Sequence, residues 1–367
     1  MSRKLCDESA YRAPLLDVAA YGLSGTTREL PGAPLADADW AAVLEDAGKH
    51  RLTGLLDAAI TANALPATHE QVRQARAAHR TAQLRVLTLE HELAGIAGLL
   101  ERAGIETRVL KGSALAHLDY AEPGLRSYND IDILLRPDDI ERAVAELGTA
   151  GFTRTLAEPR PGFDRRFDKG MTLRPAANYE LDLHRTFVLG PWGRLVDIDD
   201  LWDEGQELTV GGRRMRALSR PIRFLHTCYH AALGNWPLRL GSLRDIAEVL
   251  RTVDEGSVRR IARNWGVEAI VAAAVSDTRR LLGIGGWSWV DGHVPSRREI
   301  SWLGLHTRTD KTFAAQAVAT LRVLPWRDRP AYVRALVLPD SRYTAGRHAS
   351  PMSRFAYAIK EVRKGTR

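Results

Sequence analysis

Leu110-Lys111-Gly112-Ser113 and, sixteen residues on, Asn129-Asp130-Ile131-Asp132-Ile133-Leu134-Leu135 are the stretches on which the fold turns. In the second, acidic and apolar residues alternate with the two-residue period of a half-buried strand. Asp130 and Asp132 then share one face, and Ile131 and Ile133 the other. Two carboxylates about 5 Å apart on a rigid strand repel by roughly 3 kcal/mol at an effective dielectric near 20. Solvent, a basic partner, a shared proton or a divalent cation must offset that cost.

The segment Tyr179-Glu180-Leu181-Asp182-Leu183-His184 repeats the alternation. Glu180, Asp182 and His184 share a face, and pairing with 131–135 would bring Asp182 to the other two acids. Three carboxylates with open water positions suit Mg²⁺ or Mn²⁺. His184 reads as a contact to nucleotide or acceptor, as a partner to a carboxylate, or as a structural histidine. Gly112-Ser113 follows one expected strand and opens a helix. A glycine there admits a phosphate to the backbone, and the helix N-terminus offers free N–H donors. Lys111 stands beside it with the reach to touch a phosphate. Asp138 and Asp139, after Pro137, read as helix caps.

Around these segments the chain alternates strands (105–110, 131–135, 152–156, 169–174, 179–184) with short helices (114–120 and from 137 to about 149), an α/β unit over 104–188. Residues 1–103 read as a helical region. It ends in a long helix over 68–102 that opens with a Thr68/Gln71 capping box and carries an apolar stripe of Leu84, Leu87, Leu89, Leu93, Ile96 and Leu99–Leu100. Residues 189–367 read as mainly helical, with a hairpin near 207–218 turned by Gly211-Gly212.

The totals exclude several classes. Of 367 residues, 45% are hydrophobic and 26% charged, the balance of an ordinary globular chain. No apolar run reaches the roughly 18 residues of a membrane span, and the charged Met1–Glu8 lacks a signal-peptide core. The two cysteines, Cys6 and Cys228, make no disulfide framework or multi-cysteine zinc site, so the expected compartment is the cytoplasm. The net charge of +7 is partly local: Arg347, Arg354, Lys360, Arg363, Lys364 and Arg367 face a single acid, Glu361. That end reads as a solvated helix or as a surface for an anionic partner. His226-x-x-x-His230 lacks the glutamate of a zinc-protease helix and reads as a packed pair.

The order Lys-Gly-Ser, then Gly-Leu-Arg-Ser-Tyr-Asn-Asp-Ile-Asp-Ile-Leu-Leu-Arg-Pro-Asp-Asp (124–139), then Glu-Leu-Asp-Leu-His (180–184) resembles the nucleotidyltransferases of the DNA polymerase β superfamily. More narrowly it resembles a bacterial family of uncharacterised nucleotidyltransferases, some of which accompany peptide natural-product gene clusters. The resemblance covers about 104–253. It implies an α+β core, a mixed sheet with helices, between helical flanks. It implies a Gly-Ser turn that binds triphosphate, and Asp130, Asp132 and Asp182 as ligands of two Mg²⁺ ions. It also implies Arg126 as a phosphate clamp, and a C-terminal helical pattern containing His230, Arg239 and Asp245. The expected activity is transfer of a nucleoside monophosphate from an NTP to a small-molecule or peptide acceptor, with no membrane partner. Nucleotidylation of a protein or tRNA, and an inactive nucleotide-binding protein, are the rival readings. Two departures are visible: the Ser113–Asp130 interval is long, and Ala114 stands where a basic residue often follows Gly-Ser. Substituting Asp130 or Asp132 is expected to abolish transfer and leave the fold intact.

Overall fold

Seven strands form one mixed sheet in the order β3-β4-β5-β2-β1-β7-β6. The strands are β1 (Thr107–Val109), β2 (Asp130–Leu135), β3 (Thr153–Arg154), β4 (Gly170–Arg174), β5 (Glu180–His184), β6 (Gln206–Val210) and β7 (Arg213–Ala217). This computed structural model describes residues 7–234, 238–307 and 313–344. The basic stretch 347–367 and Trp236 lie outside the described residues.

β2 sits at the centre, antiparallel to β1 and parallel to β5. β4 runs antiparallel to β5, and β3 to β4. The register between β2 and β5 sets Asp130 opposite Glu180, Asp132 opposite Asp182 and Leu134 opposite His184. Parallel strands keep like faces together, so both acidic faces point the same way.

Helices cover both faces, as a largely buried central strand requires. Ile131, Ile133, Leu135, Leu181 and Leu183 form one apolar cluster with residues of α4 (His69–Arg102) and α6 (Ile140–Thr149). The stripe on α4 that makes this contact is Val86, Leu89, Leu93, Ile96 and Leu100, spaced three and four apart. Leu84 and Leu87, expected in that stripe, are exposed: the helical period carries them to the outer side. Thr68 and Gln71 form the expected capping box.

The opposite face carries Leu134 into a larger cluster. That cluster is built from α1 (Ala13–Ala20), α2 (Asp37–Lys49), α3 (Thr53–Thr61), α8 (Arg220–Tyr229), α9 (Leu240–Leu250), α10 (Glu255–Trp265) and α11 (Glu268–Leu282), among others. Between the sheet and this helical mass lies α5 (Lys111–Leu118). Its first turn is Lys111-Gly112-Ser113, expected as the turn before the helix. Lys111 takes φ +40°, so the chain reverses in a single residue.

Two placements differ from the expected division of the chain. The 207–218 hairpin, turned as expected at left-handed Gly211 and Gly212, pairs with β1 through Val109 and Ala217 and extends the core sheet. α4, read with the N-terminal helices, packs under the same sheet. A third cluster sets Phe163 and Phe167, around α7 (Phe163–Arg166), against Leu324, Tyr332 and Ala335.

Candidate active site

The geometry starts from Asp132, which is 4% exposed. Its Oδ1 accepts from the Lys111 ammonium at 2.6 Å and from His184 Nε2 at 2.7 Å. Burial alone would raise this carboxyl; Lys111 and His184 overcome it and hold the group well below the usual carboxylate range. Burial likewise works against the Lys111 charge, but Asp132, with Asp130 and Asp182 behind it, holds the ammonium above its ordinary value. For His184 the balance reverses. Burial and Lys111 together outweigh Asp132 and lower its pKa, so the neutral ring donates from Nε2 and leaves Nδ1 bare. That Nδ1 is buried with no protein partner.

Asp182 stands beside this group on β5. Ligand atoms of Asp132, Asp182 and His184 lie within 4.8 Å of one another, close enough to hold one metal ion. Both of these hydrogen bonds end on Oδ1 of Asp132 and leave its Oδ2 outside them. Thr172, opposite Asp182 on β4, donates to Asp182 Oδ1 at 2.5 Å. The set is two carboxylates and one imidazole, and its carboxylate oxygens fit a hard divalent cation. Asp130 shares their face but stands apart from the cluster. Its Oδ1 lies 3.8 Å from Arg51, and its side chain is 30% exposed.

Gly112 and Ser113 lie in the first turn of α5, and each has a structural reason to be there. A Cβ at Gly112 would come within 2.6 Å of the Tyr128 ring. Ser113 Oγ donates to Tyr128 Oη at 3.0 Å, and Tyr128 donates onward to Glu90 of α4, which also meets His117 at 2.7 Å. This chain ties α5 to the segment that precedes Asp130.

Arg126 does not face the carboxylate cluster. It is 4% exposed, with Nε and Nη2 each 2.8 Å from the two oxygens of Asp245 on α9, and with Nη1 donating to the Ser127 carbonyl. Tyr120 donates to the same Asp245. Burial lowers a guanidinium pKa, but Asp245 outweighs that and raises it. Here the arginine expected as a phosphate clamp fastens the loop before β2 to the helical mass.

Arg51 had no signal in the sequence. It follows α2, far from any motif, and its place depends on a left-handed backbone, φ +62°. A non-glycine residue there costs about 1–2 kcal/mol. Among the described residues four non-glycine residues are left-handed: Asn63 and Asn178, which tolerate it, and Arg51 and Lys111, which bring a cation to Asp130 and Asp132 respectively.

On the Asp182 side a cavity of about 270 Å³ opens between β4, β5 and α7, lined among others by Arg154, Asp164, Asp168, Thr172 and Asp182. Asp164 is buried beside Arg154; burial, aided by Asp168 and Glu158, pushes its carboxyl up to about 7 against the arginine's pull. Buried His226 and half-buried His230 are held well below the ordinary histidine pKa by desolvation and by Lys111. His226 stacks on Phe187 at 4.4 Å, in keeping with a packed histidine. Asp132, Asp182 and His184 form the metal-spaced cluster found among the described residues.

Several solved structures are similar to the chain. A crystal structure of ANT(2")-Ia in complex with adenylyl-2"-tobramycin is 13% identical, covers 49% of this chain and 97% of its own, and gives a TM-score of 0.35. The lincosamide antibiotic adenylyltransferase LnuA, lincomycin-bound, is 16% identical over 44% of this chain and 96% of its own, TM-score 0.30. An antigenic nucleotidyltransferase-like protein from Paracoccidioides brasiliensis is 14% identical over 58% and 99%, TM-score 0.33. No curated protein matches the chain. A family model described as "Uncharacterised nucleotidyltransferase" matches residues 36–283. That span holds the whole sheet, the three acids and the helices that anchor Arg51 and Arg126: the chain belongs to this nucleotidyltransferase family and is a transferase.

Proposed function

We propose that the protein transfers a nucleoside monophosphate from an NTP to a hydroxyl or phosphate of a small-molecule or peptide acceptor, and releases pyrophosphate. The observation that carries this reading is the parallel register of β2 and β5, which sets Asp132 directly beside Asp182 with Asp130 on the same face. Asp132 and Asp182 would hold Mg²⁺ or Mn²⁺, with Asp130, further along the same face, reaching a second ion. When bound, such ions neutralise charge on the triphosphate and on the departing pyrophosphate.

The chain's own groups do the rest. Lys111 and His184 fix the rotamer of Asp132 and keep it ionised, so its free oxygen is preset for a cation. The acceptor oxygen then bonds to the α-phosphorus as the bond to the β-phosphate oxygen breaks. Gly112 and Ser113 offer backbone donors to the donor phosphates at the start of α5.

The cavity at Asp182 supports a compact acceptor, or one residue of a peptide. A role in specialised metabolism extends this reading on resemblance. The NTP supply fits a cytoplasmic site, and among the described residues no helix is long and apolar enough to cross a membrane.

The test is pyrophosphate release from each of the four NTPs with Mg²⁺, with and without candidate hydroxyl compounds, peptides or RNA, and with a chelator control. Chelator-sensitive release that Asp182→Asn abolishes is the expected result. Failure to bind any NTP would overturn the reading; stimulation by RNA would move the acceptor to nucleic acid; binding without turnover would mark a nucleotide-binding protein.

A further inference from the structure

Among the described residues several packed arginines are held by acids and carbonyls, and half-buried Arg51 stands in contrast to them. Arg126 grips Asp245 at both oxygens. Arg223 does the same to Asp119, at 2.6 and 2.9 Å. Arg244 bonds Glu248 and the carbonyls of Ala19 and Tyr21. Arg51 has a side chain only 17% exposed, yet among the described residues no hydrogen bond engages its guanidinium. Its nearest carboxylate, Asp130, is 3.8 Å away, beyond hydrogen-bond reach.

The position is enforced from behind. The carbonyl of His50 accepts from Gly241 N at 3.2 Å, and His50 Nδ1 accepts from Leu240 N at 3.1 Å. The 50–51 corner thus caps the first turn of α9. A Cβ at Gly241 would fall 2.5 Å from the His50 carbonyl oxygen, so the close approach requires glycine. Packed this way, Arg51 must take its left-handed backbone and aim at Asp130. Arg126 and Arg239 lie close enough to repel it, and with burial they lower its pKa; Asp130 and Asp245 oppose them. A half-buried guanidinium with no hydrogen-bonded protein partner among the described residues, set among like charges, is suited to receive an anion.

We propose that Arg51 is the polyphosphate-binding element of the donor site, and reads the β- and γ-phosphates of the NTP. The inference rests on the nucleotidyl-transfer reading and deepens it. The arginine stands at the Asp130 end of the acidic face, opposite the cavity at Asp182, so it serves the donor and not the acceptor. A polyphosphate supplies the acceptor oxygens that Asp130 is too distant to supply, and a guanidinium fork matches phosphate in pairs. The N-terminal helices, which carry no chemical motif, thereby contribute a residue to the donor site.

Equilibrium binding with Mg²⁺ tests this on the full chain. The probes are inorganic tripolyphosphate, the four NTPs and the corresponding nucleoside monophosphates; the proteins are the wild type, Arg51→Gln and Arg51→Gly. Arg51→Gln should weaken tripolyphosphate and the preferred NTP by about 10-fold or more and leave the monophosphate within about twofold. Arg51→Gly should lose the same affinity without a fall in Tm, because glycine takes the left-handed backbone freely. It supplies the comparison if the glutamine variant does not fold. If the wild type binds none of these probes, the nucleotidyl-transfer reading fails. If the wild type binds and both variants match it within twofold, that reading stands and the role of Arg51 falls. Equal weakening of mono- and triphosphate would also overturn it.

Discussion

The two ends of the acidic sheet face are built on opposite terms. Near Asp130 stands Arg51, 3.8 Å away, and Lys111 pairs with the neighbouring Asp132, while Arg126 is spent on Asp245. At the Asp182 end a cavity of about 270 Å³ is lined by Asp164, Asp168 and Thr172 as well as Arg154. On the reading proposed above, the first would take the polyphosphate and the second the acceptor. A transferase needs this asymmetry, because donor and acceptor must meet across one line without competing for the same subsite.

The largest expected effect breaks the comparison at its centre. Asp130→Asn and Asp182→Asn should each lower transfer by about 10³-fold, a loss of several kcal/mol of transition-state stabilisation. Both are partly exposed and should fold normally, as paired steady-state kinetics and thermal melts would show. Asp132 corrects the expectation that either member of the pair can be removed without harm to the fold. Its side chain is 1% exposed and compensates buried Lys111, so Asp132→Asn should abolish transfer and also destabilise by about 3 kcal/mol in urea unfolding.

A second prediction sharpens the donor end. Asp245→Asn removes the carboxylate under Arg126 and leaves a buried guanidinium uncompensated, at a cost of about 3 kcal/mol. If Asp245 holds the loop that leads to Asp130, the variant's KM for NTP should rise more than its kcat falls. A change in stability with unaltered kinetics would make Asp245 a fold residue only.

The smallest effect concerns pH at the acceptor end. The Asp164 carboxyl is raised to about 7 in the folded protein, against an unfolded value near 4. Its stabilising contribution is therefore present below the unfolded value and lost as pH rises through about 7. Asp164→Asn cannot ionise, so it should gain on the wild type between pH 5 and 8, by about 2 kcal/mol at most because Arg154 loses its partner. Melts across that range would check it, and a constant difference would place the Asp164 charge in a well-compensated pair.

Much of this was legible in the chain itself. Period-two alternation in 130–135 and 180–184 named the strands and the shared face, because side-chain direction on a strand follows sequence parity. The Thr68–Gln71 cap and the Gly211-Gly212 hairpin were readable for the same local reason: each depends on residues a few positions apart. Local pattern did not determine how far a helical stripe runs, as exposed Leu84 and Leu87 show, or to which sheet a hairpin docks. Two arginines mark the boundary. Arg126 lies four residues before Asp130 and looked like a phosphate ligand, but Asp245, far along the chain, captures it. Arg51 lies far from every motif and stands beside Asp130 because His50 caps a helix that begins at Leu240. Sequence by itself determined which residues carry charge and which way a strand turns them. Only tertiary structure decided which charges are neutralised by a partner and which are left to bind, because burial and distance, not order along the chain, set the balance between desolvation and pairing.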